Sequence, residues 1–129
     1  MSRVPKYRAW YKPLGVMIHS ENLVMINFDT KVLGVYMEMD GNGYHVLRMS
    51  DFELMEYTGL KDKNDREIYP GDIPRDPTGI GEIEWVQEHC AYMVFTKNPS
   101  KYHHLESDGK LLHTEIIGNI YENPELIEV

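Results

Sequence analysis

Short runs in which apolar and polar residues alternate extend along most of the chain, and glycine, proline or asparagine separates one run from the next. An alternation with a period of two is typical of strands that bury one face. Sustained helical periodicity is absent, apart from one terminal turn that Asn123 and Pro124 favour. The pattern predicts a mainly β protein, with strands at 6–11, 23–28, 31–39, 44–49, 81–87, 91–96 and 111–121 and a shorter one at 102–105.

The first half of the chain predicts a β meander. The sequence DGNG at 40–43 favours a tight hairpin, because glycine accepts a positive φ, and Gly34 indicates a bulge or bend inside its strand. Residues 50–60 fit either a helical turn with a capping box or a strand; we predict a brief turn that leads into a strand. We therefore predict an N-terminal β lobe at 1–56 and a second lobe at 57–129, packed together as one compact unit. Because a three-stranded meander is marginal alone, we do not expect residues 1–50 to fold in isolation.

The stretch YTGLKDKNDREIYPGDI, residues 57–73, combines two glycine turns with a charged tip. It could be a binding loop, a metal loop or turn chemistry. The calcium-loop reading fails on spacing, because counting from Asp62 puts Glu67 where a glycine is required and Ile73 where a glutamate is required. A Pro-Gly-Asp corner followed by GEIEW is typical of SH3-type barrels, so we predict such a barrel for 57–129.

Composition and charge fit a soluble globular protein. The 129 residues are 42% hydrophobic and 26% charged, with a net charge of −8. The first four charged residues form a basic arm (Arg3, Lys6, Arg8 and Lys12), and the rest of the chain carries 9 basic against 21 acidic residues. An acidic body disfavours non-specific nucleic-acid binding. The chain shows neither a membrane span nor a secretory signal, and a single cysteine agrees with a reducing compartment. We expect a cytoplasmic protein.

Residues that carry chemistry show no catalytic or metal-binding pattern. The six histidines include the neighbouring pairs His89–Cys90 and His103–His104, and neighbours on a strand point to opposite faces. We expect Cys90 to be a small core residue. We predict no catalytic residue, no metal, no cofactor and no small-molecule substrate, and hence no enzyme.

Aromatic residues are abundant for a chain of this size. Small barrels use aromatic residues as core filler, but tyrosine and tryptophan also favour interfaces because they combine apolar area with a polar tip. Both readings stay open. The candidates for an interaction surface are Trp10, Tyr57, Tyr69, Trp85 and Tyr121.

Three blocks of the sequence, together with KYRAW near the start, resemble the YopX family of small bacteriophage and prophage proteins. They occur in the family's order and are LMEYTGLKDKNDREIYPGDI, GEIEW and EIIGNIYENPELI. The resemblance implies an SH3-type barrel in the C-terminal part and a phage or prophage origin, and it supplies no established activity. One departure is IPRDPTGI, in which Pro74 removes a ladder donor. We expect that strand to be broken or at a sheet edge.

Two functions follow as hypotheses. The first is a non-enzymatic protein-binding or assembly module that self-associates and contacts another protein, away from membranes. The alternative is a nucleic-acid-binding accessory protein in phage replication or transcription, which would use the basic arm and stacking on Trp10.

Overall fold

The computed structural model describes residues 6–39, 42–77, 79–97, 100–105 and 111–127. These residues form antiparallel strands joined by tight turns and short 3₁₀ turns, which confirms a mainly β fold. The chain divides into two compact units, Met1–Glu56 and Tyr57–Val129, which we call the N-terminal and C-terminal units. Each unit has its own sheets and its own buried core.

The N-terminal unit contains two three-stranded sheets with the strand orders β2–β1–β6 and β3–β4–β5. Its core holds Ala9, Tyr11, Leu33, Val35 and Phe52, because alternate residues of β1, β4 and β6 point inwards. Its strands are β1 (Tyr7–Tyr11), β2 (Val16–Ile18), β3 (Leu23–Asn27), β4 (Val32–Met39), β5 (Asn42–Arg48) and β6 (Phe52–Glu56). The 3₁₀ turns Ser20–Asn22 and Met49–Asp51 precede β3 and β6.

The C-terminal unit contains one five-stranded sheet with the order β10–β9–β8–β7–β11. In the described ranges this sheet is open. Its core gathers six side chains: Ile68, Ile83, Val94, Leu105, Leu111 and Ile116. Its strands are β7 (Asp72–Asp76), β8 (Gly79–Val86), β9 (Ala91–Lys97), β10 (Ser100–His104) and β11 (Glu115–Asn119). The 3₁₀ turns are Gln87–His89 and Pro124–Leu126.

Most of the predicted elements are present, and the turn predicted before β6 is the 3₁₀ turn at Met49–Asp51. Strand β2 was not predicted: three residues after the turn at Gly15 are too few to show alternation, and β2 forms by pairing with β1. The predicted strand at 111–121 is shorter, since β11 covers Glu115–Asn119. The predicted DGNG turn lies partly outside the described residues, although Met39 and Asn42 on either side are paired.

The expectation for Pro74 was wrong. Strand β7 is unbroken and lies inside the sheet between β8 and β11, and Pro74 is fully buried. The ladder with β8 contains only the pairs of Arg75 and Asp76, so it begins after the proline. On the other side Pro74 pairs with Ile116, where a bulge interrupts the ladder before Gly118. An interior strand can therefore contain a proline, which has no N–H to donate, because regular pairing with both neighbouring strands is interrupted beside Pro74.

Candidate interaction surface

The stretch at 57–73 is held together by buried polar groups that accept backbone hydrogen bonds. The carboxylate of Asp62 is fully buried. Its Oδ1 accepts the N–H groups of Asn64 and Arg66 at 2.9 Å each, and its Oδ2 accepts the N–H of Ile116 at 2.8 Å. One carboxylate thus fixes the charged tip and ties it to β11. The stretch is a structural clamp within the C-terminal unit.

The Pro-Gly-Asp corner completes this clamp. Gly71 has a φ of +90°, where a residue with a Cβ is strained, and its N–H donates to the Ile83 carbonyl at 2.8 Å. The N–H of Tyr69 donates to Oδ2 of Asp72 at 2.8 Å. The glycine turn predicted at this corner is confirmed.

The predicted aromatic candidates of the C-terminal unit differ in accessibility. Tyr69 is only 5% exposed and its ring packs against that of Tyr57 with 5.7 Å between centroids. Tyr121 is half-buried, and its ring lies 3.0 Å from the position that a Cβ on Gly71 would take. Trp85 is 47% exposed and stacks edge-on against Tyr92 at 5.0 Å. Of these four, Trp85 presents the most area to a partner.

Trp10 belongs to the N-terminal unit, so the structure does not assemble the five candidates within one unit. Its ring is half-buried on β1 and lies beside Gly15. The basic arm around it is engaged in part: the side chain of Arg8 is buried, and Nζ of Lys12 lies 3.6 Å from Oε1 of Glu53. Arg3 lies outside the described residues.

The most apolar exposed surface that we identify lies on the sheet β3–β4–β5, on the side away from its core. We call it the outer face. Tyr36 pairs with Tyr44, and Gly34 pairs with both Met25 and Val46, so these side chains occupy adjacent rows on one side of the sheet. Tyr36, Tyr44 and Val46 are 51%, 40% and 54% exposed. Exposed apolar residues grouped in this way mark interaction surfaces in soluble proteins.

Gly34 leaves space on this face for the Tyr44 side chain. A Cβ on Gly34 would overlap the hydroxyl of Tyr44 and would lie 3.1 Å from the Cβ of Met25. The Tyr44 side chain therefore reaches diagonally across β4 over the glycine. The predicted bulge lies beside Gly34 but in the neighbouring strand: the register shifts between the pairs Leu23–Val35 and Met25–Gly34, and the extra residue, Val24, belongs to β3. The glycine itself provides space for a tyrosine ring.

The two units differ sharply in charge. Residues 1–56 hold 6 basic and 7 acidic residues, whereas residues 57–129 hold 7 basic and 14 acidic residues. Nearly all of the net charge of −8 therefore belongs to the C-terminal unit. The outer face lies on the unit that is close to neutral, so long-range repulsion is weakest there.

Three other surface features are less suited to binding a partner. The rings of His89 and His104 lie 5.7 Å apart on the surface of the C-terminal unit, but among the described side chains no three His, Cys, Asp or Glu residues come together as metal ligands. Cys90 is exposed, in a left-handed turn, and not in the core as expected. A shallow groove of about 310 Å³ lies between Lys6–Tyr7 and β3.

The sequence did contain a signal for the outer face. In 32–39 and 44–48, apolar residues occupy both phases of the alternation, so each strand has an apolar residue on its solvent side as well. The alternation places Tyr36, Tyr44 and Val46 in strands but does not by itself show which side of the sheet they face. A strand that is apolar on both sides can bury both only if something packs on each, and in this unit the core covers one side.

Comparisons with known proteins agree with this fold. The family model described as YopX protein matches residues 6–128, which confirms the resemblance. Protein EF1440 from Enterococcus faecalis has 24% sequence identity and a TM-score of 0.60, and the match covers 98% of this chain and 100% of that chain. Protein yopX from Bacillus subtilis has 18% identity and a TM-score of 0.59, with 95% and 98% covered. No curated protein matches. At these identities the likeness to solved structures shows a shared fold.

Proposed function

We propose that the chain, which belongs to the YopX family, is a non-enzymatic binding and assembly protein that associates with copies of itself. The observation that supports this most is the outer face, where Tyr36, Tyr44 and Val46 are between 40% and 54% exposed. Tyrosine, valine and methionine offer contact area and no reactive group, which suits binding. Exposed Trp85 in the C-terminal unit could contact a second protein.

Origin, location and finer fold belong to the same proposal. The family resemblance supports a phage or prophage protein that acts in the cytoplasm of a bacterial host. None of the described helices is long and apolar enough to cross a membrane. The corner around Gly71 and the five-stranded order support an SH3-type barrel variant in the C-terminal unit.

Nucleic-acid binding is the competing function, and the tyrosine rings are the observation that favours it. Tyr36 and Tyr44, with ring centroids 5.3 Å apart, could stack against bases. The charge distribution weighs against it, since Arg8 is buried and Lys12 lies beside Glu53. Binding would then depend on stacking and very little on phosphate contacts.

Light scattering on the purified full chain tests the proposal. The mass is measured at low and high salt, alone and with single-stranded or duplex DNA. We expect an oligomer that persists at high salt, because apolar contacts are not screened, and that does not bind DNA. A monomer at every concentration would contradict self-association. A monomer that binds single strands at low salt would favour the nucleic-acid function.

A further inference from the structure

We propose that the outer face is the surface through which two copies of this chain associate, packed sheet against sheet about a two-fold axis that runs across the strands. This inference rests on the proposed self-association and adds the surface and its geometry. A second copy is preferred as the occupant because the described residues of β4 and β5 place one charge of each sign at opposite ends of the face. Arg48 pairs with Val32 at one end of the sheet, and Glu38 lies beyond Tyr36 at the other.

A two-fold axis across the strands reverses position along them, so each Glu38 comes to the level of the partner's Arg48. The two ends are roughly 20 Å apart, six residues at about 3.3 Å each, so the axis passes between the rows of Gly34 and Tyr36. The arrangement places the Tyr36–Tyr44 row of one copy over the Gly34–Val46 row of the other. Each contact between the two rows then occurs twice, once in each direction between the copies, as a symmetric dimer requires.

The side chains at both ends can reach such a partner. Arg48 is 78% exposed as a side chain, even though its guanidinium also lies 3.3 Å from Oδ2 of Asp51. Glu38 is exposed as well. Two identical ion pairs at the rim would fix the orientation of the copies, while the apolar rows exclude water between them.

The size of the face predicts a weak dimer. Three strands about 4.8 Å apart and roughly 20 Å long give a footprint of about 300 Å² per copy. A stable interface buries about 800 Å² on each partner. We therefore expect a reversible dimer with a Kd in the micromolar range or weaker, measurable by analytical ultracentrifugation between about 1 and 500 μM.

Charge exchange on the full chain tests the geometry. We expect Glu38→Arg and Arg48→Glu each to raise the dimer Kd at least tenfold, because each places like charges opposite one another, and the double variant to return to within about threefold of the parent. Tyr36→Ser should raise the Kd similarly. The matched controls, Glu84→Arg and Tyr102→Ser, change exposed residues of the C-terminal unit and should leave the Kd unchanged. Melting temperatures verify that every variant is folded.

The outcomes separate the two proposals. A parent chain that stays monomeric to 500 μM overturns self-association itself. A parent oligomer that tolerates Tyr36→Ser and both charge changes overturns the outer-face dimer and leaves self-association standing. Single charge variants that weaken the dimer without rescue in the double variant overturn the two-fold geometry. If Tyr36→Ser removes binding to a single-stranded oligonucleotide and leaves the oligomer intact, the face binds nucleic acid and the proposal fails.

Discussion

The carboxylate of Asp62 fixes the conformation of a loop that contains both acidic and basic residues. Three backbone N–H groups converge on its buried carboxylate, two from its own loop and one from β11. A guanidinium nitrogen of Arg66 donates to the Ile116 carbonyl at 2.8 Å, which ties the same loop to the same strand a second time. Leaving a buried donor without an acceptor costs about 1–3 kcal/mol. These hydrogen bonds fix the loop to β11, so Asp62 belongs to the packed interior of the unit and not to a solvated loop tip.

Replacement of Asp62 by Asn should lower the free energy of unfolding by about 2–3 kcal/mol, because one oxygen becomes an amide that cannot accept the N–H it faces. Chemical denaturation of the full chain measures this. Asp65→Asn is the matched control: Asp65 is exposed in the same loop at a φ of +67°, which asparagine tolerates. Equal stabilities of the two variants would show that the clamp contributes little.

Gly71→Val should destabilise the chain by about 2–4 kcal/mol, since valine is strained at a positive φ and its Cβ meets the ring of Tyr121. That ring carbon lies 3.0 Å from the position a Cβ would take. The control is Gly43→Val, because a Cβ on Gly43 meets nothing within 4 Å. Thermal unfolding compares the two. A Gly71→Val variant as stable as the control would contradict the requirement for glycine in this corner.

At the scale of elements, the β7–β11 pair is stabilised by a cross-strand ion pair. Arg75 and Glu115 face each other in the register, and a guanidinium nitrogen of Arg75 lies 2.6 Å from Oε1 of Glu115. This hydrogen bond is the main reason that the pKa of Glu115 is lowered below its ordinary value of 4.5, with further help from the charges of Arg75 and Lys63. The ion pair connects β7 to β11 next to Pro74, where the ladder contains few hydrogen bonds.

The lowered pKa gives a pH dependence of definite sign. A depressed carboxyl pKa contributes stability that is fully present above the ordinary value of 4.5 and is lost as the pH falls through the lower folded-state pKa. Glu115→Gln should therefore be less stable than the parent at pH 7, and the two should converge near pH 3. Melting temperatures across this range test it, with Glu84→Gln reporting the removal of one negative charge elsewhere in the unit. A gap that stays constant with pH would contradict the assignment.

The sequence predicted features that depend on neighbouring residues, such as turns, and missed features that depend on which strands pair with each other. Gly71 was predictable because proline and aspartate beside a glycine define a turn. The interior position of β7 was not, since whether Pro74 breaks a ladder depends on where its neighbours begin to pair. The outer face was predictable only in part. The sequence places Tyr36 and Tyr44 in strands, but which side of the sheet is exposed depends on which side packs on the core.

At the scale of the whole molecule, the two units differ in that each has its own core and its own charge. The C-terminal unit carries most of the net charge, which keeps copies of that unit apart and favours solubility. The N-terminal unit is nearly neutral and carries the exposed apolar rows. The two units therefore differ in surface and charge, and each has its own core. This separation implies that each unit's fold depends chiefly on its own core.

The last prediction concerns that independence. Residues 57–129 expressed alone should unfold cooperatively and give dispersed amide resonances, because the six core side chains from Ile68 to Ile116 and the Asp62 clamp all lie within this fragment. Residues 1–50 alone should stay unfolded, since that fragment lacks β6, which pairs with β1 along its whole length and supplies Phe52 to the core. Adding residues 51–56 restores that strand and is the informative comparison. An unfolded 57–129 fragment would contradict the independence of the C-terminal unit.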